Sequence, residues 1–202
     1  MMLYVFDGMD SLDESFVGQC LPHLSLERRE KVFSYSFPLD RNGSVIAYLL
    51  LRHALKENYG INEKVTFKYG NYGKPLLENY PYIHFNLSHC RTAAACIVAD
   101  SEVGVDVEEI KPVADDVAKR VLTAKEYAEY KASRRSDELF CEFWTMKESW
   151  LKKTGNGIGM DLSALAAEDT GEKTLFKGRK DYYCCATGAF VVVRYINSDI
   201  LI

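Results

Sequence analysis

The sequence predicts an α+β fold of two comparable halves, on three observations. Short β-rich runs alternate with stretches of helical periodicity. Strands and helices fall in similar number on either side of residues 100–102, dividing the 202 residues into 1–101 and 102–202. Apolar residues make up 48% of the chain, enough for a substantial core.

Taken in order, residues 3–6 read as a first strand. Ser25 is placed to cap a helix through Glu27, Arg28, Arg29 and Lys31 toward Tyr35. Asp40 is placed to cap a second helix. Its apolar positions Val45, Ile46, Leu49 and Leu50 share one face, and Gly60 stops it. Strand-like runs follow at 65–69, 82–85 and 92–99, with a glycine-punctuated loop over 69–75. The second half opens with a strand over 103–107. Thr123 and Glu126 form a capping box, with Leu122 and Tyr127 as a hydrophobic staple, for a helix to about Ala132. After a break at 133–136, a longer helix runs from Asp137 to about Lys153. Asp137 and Glu138 suit its first turn, Lys152 and Lys153 its last, and Gly155 ends it. Residues 155–159 carry three glycines but follow a helix, so they read as a stop and turn rather than a dinucleotide loop. Residues 182–187 and 190–195, separated by Gly188 and Ala189, predict a hairpin.

The net charge of −4 argues against a general nucleic-acid binder. No apolar run approaches the length of a membrane span, and the opening residues lack a secretory pattern. None of the six cysteines forms a Cys-x-x-Cys pair. The expectation is a cytoplasmic protein with structural cysteines and no membrane association.

Chemistry concentrates in two short segments. In Gly104-Val-Asp-Val-Glu108, period two puts Asp106 and Glu108 on one face, while Val103, Val105 and Val107 point into a core. In Trp144-Thr-Met-Lys-Glu-Ser-Trp-Leu-Lys152, period four puts Glu148 and Lys152 on one face. Three carboxylates from a strand and a helix make a hard-oxygen set suited to Mg²⁺. Alone, the strand acids also read as a polar strand end, and Lys147, Glu148 and Lys152 as a charged helix face. Phe85-Asn-Leu-Ser-His89, read as lying where a strand ends, offers a hydroxyl, an imidazole and backbone N–H groups for phosphate. Ser88 and His89 are neighbours that point different ways, and no Gly-x-Ser-x-Gly elbow is present, which disfavours a serine hydrolase. Tyr72-Gly-Lys-Pro75 combines a close-approach glycine with a mobile cation. Arg28 and Lys31, three apart on a helix, add charge for a phosphate.

Together these segments resemble the 4′-phosphopantetheinyl transferase family. The likeness is to its large single-chain, surfactin-synthetase-activating type. It rests on Gly73-Lys-Pro75, Phe85-Asn-Leu-Ser-His89, Gly104-Val-Asp-Val-Glu108 and Phe143-Trp-Thr-Met-Lys-Glu-Ser-Trp-Leu-Lys152, in that order, and on the basic segment 25–31. The resemblance spans roughly residues 20–165. It implies two similar α/β halves related by a pseudo-twofold axis, with coenzyme A between them and a single chain acting as a monomer. It implies Mg²⁺ on Asp106, Glu108 and Glu148, and transfer of the phosphopantetheine arm to a serine of an apo acyl or peptidyl carrier protein. It further implies Glu148 or Glu108 as proton acceptor and Lys152 as charge stabiliser. Lys74, Pro75, Ser88 and His89 would hold the nucleotide and phosphates, and Arg28 and Lys31 the 3′-phosphate. One position departs from the family: Gly43 stands where an arginine is common, with Arg41 two residues earlier. A metal-dependent phosphohydrolase on a nucleotide or coenzyme A is the alternative use of the same carboxylates, and a non-catalytic carrier-docking module a third. Arg120, Lys125, Arg134 and Arg135 are the expected basic patch for an acidic carrier.

Overall fold

The same arrangement is built twice along the chain, whose computed structural model describes residues 1–155, 160–188 and 190–200. The first half contains β1 (Met2–Phe6), α1 (Phe16–Cys20), α2 (Leu26–Phe33), α3 (Pro38–Tyr59), β2 (Phe67–Tyr69), β3 (Pro75–Leu77), β4 (His84–His89) and β5 (Ala94–Ala99). The second contains β6 (Gly104–Glu109), α4 (Asp115–Val121), α5 (Ala124–Ala132), α6 (Ser136–Thr154), β7 (Lys173–Lys177), β8 (Tyr182–Thr187) and β9 (Val192–Tyr195). In each half a strand leads to a long helix; in the first half the separate β2–β3 pair then intervenes, and two more strands join the opening strand in a sheet. The last of these is central and antiparallel to both neighbours: β5 lies between β4 and β1, and β8 between β6 and β7. This equivalence is what a pseudo-twofold relation between similar halves requires.

β5 shows why the halves cohere. Its residues are buried on both faces. Ala94, Cys96 and Val98 pack with α3, while Ala95, Ile97 and Ala99 share a second core with Val103, Val105 and Val107 of β6. Period-two alternation thus sends one strand into two cores. A third cluster joins α4, α5 and α6 through Val121, Tyr130, Phe140 and Leu151.

The helix boundaries follow their caps. Ser25 accepts from the Arg28 N–H at the start of α2, and the Thr123–Glu126 capping box opens α5. Gly60 and Gly155 take the left-handed conformation, φ 70° and 69°, that closes α3 and α6. Asp40 is not a cap. α3 begins earlier, at Pro38, which has no N–H to satisfy, and Asp40 sits in the first turn beside the helix dipole.

Two further expectations need correction, and a third falls partly outside the described residues. The segment 85–89 does not follow a strand; it is most of β4. The C-terminal strands do not form a hairpin: β8 already has a neighbour on each side, so β9 crosses over and pairs in parallel with β1, Met2 opposite Val192. A strand from the second half therefore completes the sheet of the first. The turn expected over 155–159 begins with the Gly155 cap, and its remaining residues, like Ala189, lie outside the described residues.

Lys147 is structural. Its side chain is fully buried, with the ammonium donating to Glu126 Oε2 (2.6 Å) and to the carbonyls of Val121 (2.7 Å) and Leu162 (3.1 Å). Glu126 also accepts from the N–H groups of Thr123 and Ala167. Burial opposes ionisation of Glu126, and these donors outweigh it, holding the carboxyl below its usual range. Lys147→Met should destabilise the protein by about 3–5 kcal/mol by stranding that carboxylate. Chemical denaturation checks this, and Lys147→Met combined with Glu126→Leu should recover part of the loss.

Candidate active site

The site exists because a helix backbone lies directly on a strand. A Cβ added at Gly104 would sit 1.9 Å from the Ser149 carbonyl oxygen and 2.5 Å from the Lys153 nitrogen. Only glycine permits that approach. Ser149 and Thr187, whose β8 position faces Gly104, close the contact with a buried 2.6 Å hydroxyl pair. One turn along α6, Lys152 then reaches β6 and donates to Asp106 Oδ1 at 2.6 Å.

Asp106 is the buried centre, at 2% exposure. Its Oδ1 also accepts from Ser88 Oγ (3.0 Å), which itself accepts from Lys152 (2.9 Å) and from the Val107 N–H (3.3 Å). Asn86 Oδ1 accepts from the Val105 N–H at 3.0 Å. Side chains of β4 thus satisfy the open edge of β6 and lock the two halves in register. Asp106 Oδ2 is buried with no partner among the described residues.

Glu108 and Glu148 flank this centre. Glu108 accepts from the Trp144 indole N–H at 3.0 Å. Burial, and then the charge of Asp106, push its carboxyl up to about 7. The same two causes raise Glu148. Burial works against the Lys152 ammonium, but Asp106, Glu148 and Glu108 outweigh it and raise its value. The three acids therefore share one field. They do not form a closed cluster: among the described residues no group of three or more His, Cys, Asp or Glu side chains is placed to hold a metal ion. Lys152 takes the position against Asp106 instead.

The expected cationic residues lie around the same cleft. His89 is pushed down to about 4 by burial and then by Lys152 and Arg28, with Lys31 adding to the effect and Asp40 opposing it. That list places residues of α2, α3, β4 and α6 around one imidazole. Arg28 donates to the Ser44 carbonyl (2.7 Å) and hydroxyl (2.9 Å), and its buried Nε has no partner among the described residues. Lys31 is exposed, its ammonium 5.4 Å from the Tyr35 ring centroid. Lys74 donates to Glu102 (2.8 Å) and to the Lys153 carbonyl (2.6 Å) at the C-terminus of α6. Pro75 begins β3 opposite Tyr69. A cavity of about 230 Å³ opens between Tyr72, Lys74, Asn86, Glu148, Leu151 and Lys152.

Gly43 has a local reason. A Cβ there would lie 2.4 Å from His89 Cδ2, so the imidazole occupies the space an arginine would need. Arg41 donates from Nε to the Tyr35 carbonyl at 2.9 Å. The expected basic patch is largely neutralised: Arg120 pairs with Asp116, Lys125 with Glu168 and Arg135 with Glu138. Asn86, Ser44 and Trp144 were given no role from sequence. Their parts depend on contacts between distant segments, and for Trp144 alone its place beside the helix charges was a signal.

The family model described as 4′-phosphopantetheinyl transferase superfamily matches residues 102–191, and that described as 4′-phosphopantetheinyl transferase, N-terminal, matches residues 13–102. The chain is 34% identical over 164 residues to 4′-phosphopantetheinyl transferase psf-1 of Bacillus pumilus, covering 79% of this chain and 70% of that protein. It is 29% identical over 146 residues to 4′-phosphopantetheinyl transferase Sfp of Bacillus subtilis (strain 168), covering 71% of this chain and 65% of that protein. The crystal structure of Thermotoga maritima holo-[acyl-carrier-protein] synthase matches 42% of this chain and 60% of its own, with TM-score 0.34 and 21% identity. The chain belongs to the 4′-phosphopantetheinyl transferase family, and its class of activity is transfer of the phosphopantetheine group to carrier proteins. The phosphohydrolase alternative is not favoured by these relatives.

Two outcomes follow. Gly104→Ala should separate α6 from β6, destabilising the protein by about 1–3 kcal/mol and lowering turnover more than the loss of stability accounts for; thermal melts and initial rates measure the two. His89 should titrate near 4 in the free protein. Because its folded value is depressed, its contribution to stability is present above about 6.5 and is lost as pH falls toward 4, a change of up to about 3 kcal/mol. Imidazole NMR signals followed against pH check the value, and His89→Gln should flatten that part of the stability profile.

Proposed function

We propose that the cleft takes coenzyme A as donor and an apo acyl or peptidyl carrier protein as acceptor, with 3′,5′-ADP leaving. The observation that carries this reading is the meeting of Asp106 and Lys152 in one bonded centre, with Glu108 and Glu148 in its field and cationic residues from α2 to α6 around it. The first half, 1–101, would bind the coenzyme, and the second, 102–202, supply the acidic centre. With both halves in one chain, a monomer suffices. The donor chemistry of the three carboxylates fits Mg²⁺, although in the free protein they are not gathered into one cluster. Asp106 Oδ2 is a buried carboxylate oxygen with no partner among the described residues, and Glu108 and Glu148 are raised first by burial and then by the charge of Asp106. Asp106, Glu108 and Glu148 would hold the ion, which when bound would offset charge on the pyrophosphate.

The chain's own residues account for the remaining steps. Lys74, Pro75, Ser88 and His89 hold the nucleotide and phosphates, with Arg28 and Lys31 toward the 3′-phosphate. The carrier serine oxygen attacks the β-phosphorus while the bond to the α-phosphate oxygen breaks, and that oxygen leaves with the electron pair as 3′,5′-ADP. Glu148 or Glu108 takes the serine proton. Lys152 moves from Asp106 toward the pyrophosphate and stabilises its growing charge. That move breaks the 2.6 Å bond of Lys152 to Asp106, which the charge of the arriving pyrophosphate would have to offset. We place the reaction in the cytoplasm. The six cysteines are free, and no helix among the described residues is long and apolar enough to cross a membrane.

Purified protein with coenzyme A, Mg²⁺ and a panel of apo carrier proteins should yield a carrier heavier by one phosphopantetheine in intact-mass spectra. No adduct on any carrier would reject the reading. Free phosphopantetheine released without a carrier would point to the hydrolase instead. Asp106→Asn and Glu148→Gln should each cost on the order of a hundredfold or more in rate while the fold persists. Both should also weaken Mg²⁺ binding measured by calorimetry.

A further inference from the structure

Away from the cleft, a second concentration of positive charge stands on the C-terminal part of α3. A pocket of about 240 Å³ is lined by His23, Arg52, His53, Lys56 and Asn62, with Leu49, Ile61 and Ile200 as apolar walls. Among the described residues no carboxylate lines it. None of its four basic side chains takes part in an ion pair among the described residues. In a chain of net charge −4, that grouping is unusual. Arg52 and Lys56 stand four apart on one helix face, where like charges destabilise the helix. An anion between them would relieve that repulsion.

The pocket is also organised. The Arg52 guanidinium is fixed by donation to the His23 carbonyl (3.1 Å) and the Asn62 carbonyl (3.0 Å), which leaves its remaining N–H groups in a set direction. A fixed guanidinium fork suits a tetrahedral oxyanion. The His53 ring stands edge-on to Tyr4 at 5.3 Å. Burial pushes its value down; Glu57 opposes that, and Lys56 and Arg194 of β9 reinforce it, so at neutral pH it offers a neutral N–H donor. Arg52 lies eight residues beyond Ser44 on α3, a rise of about 12 Å along the helix from the Arg28 contact.

We infer that this pocket is a second anion site, which takes the phosphate group of a small molecule: free inorganic phosphate or a phosphomonoester. The combination of a pinned guanidinium, an ammonium and two imidazoles, with no carboxylate among the described lining residues, selects a compact dianion over a monovalent ion.

The test uses the full chain in 0.15 M NaCl, with the side-chain imidazole signals of His23 and His53 followed by NMR during titration. Inorganic phosphate should shift both, saturably, while sodium chloride at matched ionic strength should not. Lys56→Ala should weaken this binding on the order of tenfold, since one charge-assisted hydrogen bond is lost. Lys56 is exposed, so the fold should tolerate the change. His53→Gln should weaken it too, read from the His23 signal. Lys31→Ala, in the cleft, should leave it unchanged, which separates this site from phosphate bound where coenzyme A is proposed to sit. Glycerol phosphate in place of phosphate distinguishes the two sources: equal shifts mean an ester phosphate is accepted, and a response to phosphate alone means the free ion is the ligand. Signals that do not move with either probe, that move equally with chloride, or that respond identically in Lys56→Ala would overturn the site.

Discussion

The contact of α6 with β6 at Gly104 is the constraint on which the acidic centre depends. A strand and a helix normally stand apart by the length of their side chains. Here the Ser149 carbonyl lies where a Cβ would be, so the two backbones touch. That closeness allows Lys152, from the last turns of the helix, to bond a carboxylate on the strand at 2.6 Å. It also keeps Glu148 within the field of Asp106. Moving the helix out by one methyl group would lengthen all of these interactions together. The glycine of Gly104-Val-Asp-Val-Glu108 is therefore a packing requirement of the site, two residues from the carboxylate it serves.

The second constraint is the joint between the halves. β6 is an edge strand, and edge N–H groups need partners. Asn86 and Ser88, two apart on β4, supply side-chain oxygens to Val105 and Val107, also two apart. The matched period fixes how the sheets meet. Ser88 then has three tasks: it accepts from the β6 backbone, accepts from Lys152 and donates to Asp106. A residue read from sequence as a phosphate ligand is, in the free protein, part of the frame that positions the acidic centre. The two roles are compatible if Lys152 transfers from Ser88 and Asp106 to an arriving phosphate.

Local features were legible in the sequence, and long-range pairings were not. The caps at Ser25, Thr123, Gly60 and Gly155 depend only on neighbours, and all four stand where the residue types indicate. The alternation in 103–107 also depends only on period two, and the valines are buried as it requires. The hairpin failed because nothing in 182–195 reveals that β8 has both edges occupied by β6 and β7. β7 itself mixes lysines with Thr174, Leu175 and Phe176 and sits at a sheet edge, so its pattern is weak. At the site, the shared face of Asp106 and Glu108 and that of Glu148 and Lys152 could be read from spacing. The bonds from Asn86, Ser88 and Trp144 could not, since each joins segments far apart in sequence.

Gly43 shows how such a gap alters a functional argument. From sequence it is a missing cation. In the fold it is the floor beneath His89, and any side chain there would displace the imidazole. The loss of one positive charge from α3 and the seating of a buried, neutral imidazole against that helix are thus one structural event. Around it, Arg28 is anchored by Ser44, one residue further along α3, and keeps a buried Nε without a partner among the described residues. An unpaired buried N–H of a guanidinium is costly to leave unsatisfied. An oxyanion arriving between Arg28 and His89 would supply the missing acceptor and would also favour protonation of the imidazole, whose low value reflects burial and the absence of a nearby anion strong enough to offset Lys152 and Arg28. If this end of the cleft binds a phosphate as proposed, a count of cations would set its strength less than the donors, such as Arg28 Nε, that the phosphate would satisfy.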